Sequence, residues 1–192
     1  MFNGENIMVI TKHPSPNFNS DREINPAVIV IHWTASYFQS AIGWLCNPQA
    51  QVSAHFVIDA DGKRVFQLVD LNRRAWHCNP SWHPLLDESV KGLNSYSIGI
   101  ECEGPPSSIK RTGWSDDFIF SLSELCIYIA SECGAICGIT DHSTICPQQK
   151  NDVLNGKGID AFPWQKFISM TGMINLATPE IREEVRKHYG MV

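Results

Sequence analysis

The stretch "AVIVIHWTAS", residues 27–36, is an almost continuously apolar run of mostly β-branched residues, bounded by Pro26 and by polar residues. A run of this kind predicts a strand buried on both faces in the middle of a sheet. His32 falls at its carboxyl end, the edge where α/β sheets place their ligands. On this evidence alone, His32 is either a functional side chain or a structural histidine with an internal partner.

The segments around this strand predict an α/β fold in one domain, with a central mixed sheet flanked by helices. The helix predictions are a short helix over 41–48, a long one opening at Ser115 and ending at Gly134, and a surface helix over 178–188. The strand predictions are a hairpin over 53–70, turning at Asp61-Gly62, and a buried strand over 95–104. We expect an irregular arm over 1–25, the domain over 26–170, and a tail over 171–192.

Composition narrows the classes of function. The chain has 192 residues, 43% of them apolar, and a net charge of −5, which leaves no broad cationic face for nucleic acid or an anionic membrane. No apolar run approaches the roughly 20 residues of a spanning helix, and no secretory signal is visible. Seven scattered cysteines suggest reduced thiols. We therefore expect a cytoplasmic monomer, or one exported without a signal peptide.

The segment "DHSTICPQQKND", residues 141–152, supplies two further candidate ligands. His142 and Asp152 come from a loop after the long helix, and this loop could approach His32. Two imidazoles, one carboxylate and an open fourth position are the donor set of a catalytic zinc site. Spacing alone does not decide between this site and a structural histidine.

Several segments, in order, resemble the zinc-dependent N-acetylmuramoyl-L-alanine amidases, the amidase type 2 family of the peptidoglycan-recognition protein and T7-lysozyme superfamily. The similarity covers about residues 13–167. The matching segments are "HPSPNFNSDRE" (13–23), "VIVIHWTAS" (28–36), "VSAHFVIDADGKRVFQLVD" (52–70), "RAWHCNPSW" (74–82), "NSYSIGIECEG" (94–104) and "HSTICPQQKND" (142–152).

The resemblance implies roles for individual residues. It makes His32, His142 and Asp152 the ligands of Zn²⁺. It places Glu101 as the carboxylate that handles the proton of the attacking water, and Lys150 as a cation near the scissile carbonyl. Without the resemblance, Glu101 would be an edge carboxylate and Lys150 a solvated charge.

One departure concerns the loop after Asp152, where "DVLNGKGIDAFPW" (152–164) is longer than the family pattern. The insertion makes Asp160 a rival third ligand, although the spacing from His142 favours Asp152. Gly156 and Gly158 would let this loop act as a flexible flap beside the groove. Cys146 lies too near His142 for the cysteine ligand of some family members and is expected to pack internally.

Other side chains are candidates for substrate binding. His55 would lie near the zinc or the substrate, and His77 would line the groove beside Trp76. Trp82 would shape a sugar or peptide subsite, or only hold its loop. The implied reaction is hydrolysis of the amide between N-acetylmuramic acid and L-alanine in peptidoglycan or muropeptides. The alternative is a peptidoglycan-recognition module that binds without cutting. Cell-wall recycling, phage lysis and an exported effector all remain open.

Overall fold

The computed structural model describes residues 8–20, 25–78, 80–84, 92–104, 114–150, 152 and 162–191. The strands are β1 Ile10–Lys12, β2 Phe18–Asn19, β3 Val28–Trp33, β4 Phe56–Ile58, β5 Val65–Gln67, β6 Arg74–Ala75, β7 Ser97–Cys102, β8 Gly138–Asp141 and β9 Ile174–Asn175. The α-helices are α1 Phe38–Leu45, α2 Asp116–Cys133, α3 His142–Ile145, α4 Trp164–Thr171 and α5 Pro179–His188. Short 3₁₀ turns cover Pro48–Ala50 and Leu93–Ser95.

The main sheet is mixed and has seven strands in the order β1-β5-β4-β7-β3-β8-β9. The strands β4, β7, β3, β8 and β9 are parallel, while β5 pairs antiparallel with β4 and carries β1 along its other side. β3 therefore lies inside the sheet, between β7 and β8. The predicted central strand and the predicted α/β class with a mixed sheet are both confirmed.

Side-chain alternation along β3 supplies the cores on both faces of the sheet. Ile29 and Ile31 point to one face, where they pack with α2 and α4 around residues such as Leu122 and Phe167. Val28 and Val30 belong to a smaller cluster on the opposite face. His32 continues the alternation of this second pair. The strand is apolar throughout because both of its faces are covered.

The long helix α2 has the ends that the sequence predicts. The Ser115 side chain accepts a hydrogen bond from the backbone N–H of Phe118, and Asp116 and Asp117 occupy the first turn. Gly134 ends the helix in the left-handed conformation, with φ of 68°. These local signals fix the helix that covers one face of β3 and β7.

Other predictions were less accurate. The arm expected to be irregular contains β1, which pairs with β5, and β2, which pairs with β6. α1 starts at Phe38, earlier than expected, and Pro48 begins a 3₁₀ turn instead of ending the helix. The strands β8 and β9 and the helix α4 were not predicted. The division of the chain at residues 25 and 170 stays a prediction.

The cysteines form no disulfide within the described residues. Cys102 and Cys126 are fully buried in the main core, as expected of reduced thiols that pack as small apolar groups. Among the described helices, none has the length and apolar character needed to cross a bilayer.

Candidate metal centre

His32 and Glu101 lie side by side at the carboxyl edge of the sheet. β3 and β7 run parallel, and their register pairs His32 with Glu101. Because neighbours in register point to the same face, both side chains project on the side of the sheet opposite α2. Ile31 and Ile100 pair one position earlier and point into the main core instead. The side-chain alternation that buries the isoleucines therefore places His32 and Glu101 together on the opposite face of the sheet.

His142 reaches the same edge from the other neighbour of β3. β8 runs parallel to β3 and ends at Asp141, after which the single turn of α3 begins with His142. The Asp141 side chain accepts a hydrogen bond from the Thr144 backbone N–H and so caps this turn. The backbone N–H of Ser143 donates to the Asp152 carbonyl oxygen at 2.6 Å, which places Asp152 beside His142.

These elements bring three donor atoms together. The Nδ1 atoms of His32 and His142 lie 2.9 Å apart, and Asp152 Oδ2 lies 3.5 Å from the first and 3.3 Å from the second. Ligands about 2.0–2.1 Å from a tetrahedral zinc ion are separated by about 3.3 Å. The triangle therefore has the size of one face of a zinc tetrahedron. The residues are buried, with exposed fractions of 1%, 5% and 9% for His32, His142 and Asp152.

A chain of hydrogen bonds behind His32 indicates which ring nitrogen carries a proton. The Ser97 hydroxyl donates to the Leu93 carbonyl oxygen at 2.7 Å, so its oxygen is left to accept from His77 Nε2 at 3.2 Å. In a neutral His77 ring, Nδ1 is then the hydrogen-bond acceptor, and His32 Nε2–H donates to it at 2.9 Å. The lone pair of His32 is thereby left on Nδ1, the atom that faces His142 and Asp152.

The protonation states also suit a cation. Burial, together with the neighbouring His142 and against the opposing effect of Asp152, lowers the pKa of His32 to about 4, so the ring is neutral at pH 7. Burial by itself would raise the pKa of Asp152, but the adjacent His142 and His32 side chains outweigh it and hold this pKa well below its usual range. Neutral imidazole with an ionised carboxylate is the state that binds metal.

The environment of Glu101 favours its protonated form as long as no cation is bound. Its Oε2 atom is buried and has no hydrogen-bond partner in the described part of the chain. Burial and, to a smaller extent, the charge of Asp152 raise the pKa of Glu101 to about 8 against the opposing effect of Lys150. A bound divalent cation would add an attraction that favours the ionised form.

The donor triangle opens into a cleft of about 260 Å³, and its lining includes Glu101, Lys150, Trp76 and His77. A second recess of about 290 Å³ continues from it along α1 and shares Glu101 with the cleft. Trp44 on α1 lies between the two and is 59% exposed. The sequence analysis missed Trp44, although a large aromatic on the outer face of an amphipathic helix was an available signal.

Two of the candidate substrate-binding residues are not among the described residues that line the cleft. His55 is fully buried, where its Nδ1 accepts from the Gly99 backbone N–H and its Nε2 donates to the Arg73 carbonyl oxygen. Its burial and these two hydrogen bonds to backbone groups indicate a structural role for His55, and a role near the substrate stays a prediction. Trp82 stacks on His188 at 3.9 Å and donates its backbone N–H to Ile145, and it is not among the described residues that line the cleft. The structure thus supports the loop-holding alternative. Cys146 is 3% exposed and packs internally.

The rival ligand Asp160 and the proposed flap glycines, Gly156 and Gly158, lie outside the described residues. Asp152 is described, and it forms with His32 and His142 the one potential metal-binding cluster found among the described residues. The choice between Asp152 and Asp160 as third ligand therefore stays a prediction, for which the proximity of Asp152 to both histidines is the structural argument.

Comparison with known proteins agrees with this geometry. Residues 22–153 match the N-acetylmuramoyl-L-alanine amidase family. The chain is 29% identical to N-acetylmuramoyl-L-alanine amidase A of Achromobacter lyticus, over 64% of this chain and 61% of the relative, so it spans less than two thirds of that protein. It is 30% identical to 1,6-anhydro-N-acetylmuramyl-L-alanine amidase AmpD of Haemophilus influenzae, over 81% of this chain and 88% of the relative.

A solved structure shows the same fold with a ligand present. AmiD of Escherichia coli, in complex with anhydro-N-acetylmuramic acid-L-Ala-D-γ-Glu-L-Lys, superposes with a TM-score of 0.61 at 28% identity, over 78% of this chain and 58% of that chain. The matched family segment contains both strands and the loop that bring the donor triangle together. On this evidence, the chain belongs to the N-acetylmuramoyl-L-alanine amidase family.

Proposed function

We propose that the protein is a zinc-dependent enzyme that hydrolyses the amide bond between N-acetylmuramic acid and L-alanine. The observation that supports it best is the donor triangle of His32, His142 and Asp152, which opens into a cleft beside Glu101, whose buried Oε2 atom has no hydrogen-bond partner among the described residues. A binding module of the same fold needs neither an open metal position nor a spare buried carboxylate. Both features fit a hydrolase.

Zinc is the metal that this donor set fits best. Two imidazole nitrogens and one carboxylate oxygen, with a fourth position facing a cleft, are typical of catalytic zinc sites, whereas magnesium and calcium prefer oxygen ligands throughout. When bound, zinc supplies a Lewis acid for the amide carbonyl and for the attacking water. The described residues offer no fourth protein ligand in this cluster, which argues against a purely structural metal site.

Glu101 would transfer the proton of the reaction, and Lys150 would stabilise the negative charge that develops during it. Glu101 lines the cleft, and its buried Oε2 atom has no hydrogen-bond partner among the described residues, so this carboxylate would take a proton from the attacking water and return it to the leaving amine of L-alanine. The Lys150 ammonium, which also lines the cleft, would stabilise the negative charge that develops on the carbonyl oxygen. Both residues line the cleft without belonging to the donor triangle.

The substrate would be a muropeptide. The AmpD relative is named for 1,6-anhydro-N-acetylmuramyl-L-alanine, and the AmiD structure holds an anhydro-N-acetylmuramic acid peptide. The cleft and its extension along α1 offer a polar centre with two aromatic side chains, the half-buried Trp76 and the exposed Trp44, on which a sugar ring or a peptide can pack.

The reaction is tested with anhydro-N-acetylmuramic acid carrying its stem peptide, incubated with the zinc-loaded protein. Mass spectrometry should detect the intact stem peptide with a free L-alanine amine, together with the free sugar acid. Activity on intact sacculi, measured in parallel, separates a recycling enzyme from a lysin. Cleavage within the peptide, or binding of the muropeptide without any cleavage, would contradict the proposal.

The third ligand is tested by a matched pair of aspartates. Asp152→Ala removes one of three donors and should weaken zinc affinity by orders of magnitude, whereas Asp160→Ala should leave it within a few-fold of the unmodified protein. Zinc affinity is measured by competition with a chromophoric chelator. Loss of zinc in Asp160→Ala with retention in Asp152→Ala would make Asp160 the ligand.

The two catalytic roles predict a separation of metal binding from turnover. Glu101→Gln and Lys150→Ala should keep stoichiometric zinc but lower kcat by roughly 10²- to 10⁴-fold, because each removes a proton acceptor or a charge needed only in the transition state. Lys63→Ala, at another exposed lysine, serves as the control. Near-normal kcat in either variant would remove that residue from the mechanism.

The hydrogen bond behind His32 makes His77 a positioning residue for the first ligand. His77→Ala should weaken zinc affinity by about 10-fold or more, since the outer partners of metal-binding histidines commonly contribute this much. His77→Gln keeps a hydrogen-bond acceptor and should recover part of the loss, while His13→Ala, at an exposed histidine, should have no effect. Equal zinc affinities in all three variants would show that the hydrogen bond does not matter.

A further inference from the structure

The C-terminal helix α5 lies outside the family match over residues 22–153, yet it contacts the turn that carries a proposed metal ligand. The Arg182 guanidinium reaches from α5 to the segment around His142. Its Nη2 lies 2.5 Å from Asp141 Oδ2, and its Nη1 donates to Ser143 Oγ at 3.0 Å. Arg182 therefore binds the residues on either side of His142.

Asp141 passes this contact on to the backbone of α3. It is fully buried, and its second oxygen, Oδ1, accepts from Ser143 Oγ at 2.6 Å and from the Thr144 backbone N–H at 2.8 Å. These bonds fix the first turn of α3, from which the His142 ring projects. One carboxylate thus joins α5 to the backbone that aims the second ligand.

The same turn also holds the third ligand. The Ser143 backbone N–H donates to the carbonyl oxygen of Asp152 at 2.6 Å. A shift of Ser143 would move Asp152 relative to His142, and the two donor atoms are only 3.3 Å apart. Both ligands from this part of the chain therefore depend on the position of one serine, which Arg182 and Asp141 hold between them.

Further contacts join α5 and the residue after it to the same segment. The Tyr189 hydroxyl donates a hydrogen bond to the Ile145 carbonyl oxygen at 3.4 Å, and the Tyr189 backbone carbonyl oxygen accepts one from Gln148 Nε2 at 3.0 Å. His188 stacks on Trp82. These contacts attach the helix, and among the hydrogen bonds of its described residues it is those of Arg182 that reach Asp141 and Ser143, on either side of His142. Its planar fork makes parallel contacts that a lysine ammonium cannot reproduce.

We propose that Arg182 is a positioning residue of the metal centre, acting through Asp141 and Ser143 on His142 and Asp152. The C-terminal helix then helps to position the metal ligands, in addition to packing on the rest of the domain. This inference rests on the metal site of the proposed function but not on its substrate, so it is tested by metal binding alone.

The test compares zinc affinity among Arg182→Met, Arg182→Lys and the double variant Asp141→Asn with Arg182→Met. The control is Arg186→Met, an exposed arginine one turn along the same helix. Affinity is measured by chelator competition at a temperature where circular dichroism shows each metal-free protein to be folded. Absorption of the Co²⁺-loaded proteins reports ligand geometry independently of stability.

Arg182→Met should weaken zinc affinity about 10- to 100-fold and change the Co²⁺ spectrum, Arg182→Lys should lie between it and the unmodified protein, and Arg186→Met should change neither. The double variant removes the unpaired buried charge, so it restores folding if Arg182→Met is too unstable to assay, and it should still bind zinc weakly. Zinc affinity and a Co²⁺ spectrum in the double variant like those of the unmodified protein would overturn the inference, since Arg182 would then only neutralise Asp141.

Zinc binding by the unmodified protein separates a failure of this inference from a failure of the proposed metal site. An unmodified protein that binds zinc tightly, together with an Arg182→Met variant that binds it equally well, removes only the role of Arg182. An unmodified protein that does not bind zinc removes the proposed metal site and, with it, this inference. Loss of amidase activity without loss of zinc affinity in Arg182→Met would likewise contradict positioning of the ligands.

Discussion

The parallel pairing of β3 with β7 on one side and with β8 on the other is the constraint on which the rest of the site depends. Parallel strands end at the same edge, so the register that pairs His32 with Glu101 and Ile31 with Asp141 places His32 and Glu101 side by side and starts the turn of His142 next to them. A slip of one residue would turn His32 into the core and Ile31 toward the cleft. That slip is disfavoured because it would bury the polar ring of His32 among the apolar side chains of the main core.

At this edge of the sheet, hydrogen bonds from neighbouring residues hold the proposed ligand residues from behind. The donor atoms that face one another are left to bind a cation. His32 is held from behind by His77 and Ser97, and Asp141 and Ser143 fix the turn that carries His142. Glycine at position 99 makes the first arrangement possible, since a Cβ atom there would lie 2.6 Å from the His77 ring. Burying so many polar groups is tolerable only because they bind each other.

Sequence patterns predicted the features that depend on local chemistry. The β-branched run gave β3, the capping residues gave both ends of α2, and ordered motifs selected the residues that form the donor triangle. Features that depend on distant partners were missed. β1 and β9 form only because β5 and β8 leave edges for them. His55 binds backbone groups far away in sequence, and Trp82 stacks on a helix about a hundred residues later.

The central claim is that one zinc ion binds between His32, His142 and Asp152, with a position left open to the cleft. Anomalous diffraction from crystals of the zinc-loaded protein, collected on both sides of the zinc absorption edge, tests it most directly. The account predicts a single strong peak about 2.0–2.2 Å from the two Nδ1 atoms and the Asp152 carboxylate, with no fourth protein ligand. A peak elsewhere, or a fourth side chain completing the tetrahedron, would contradict it.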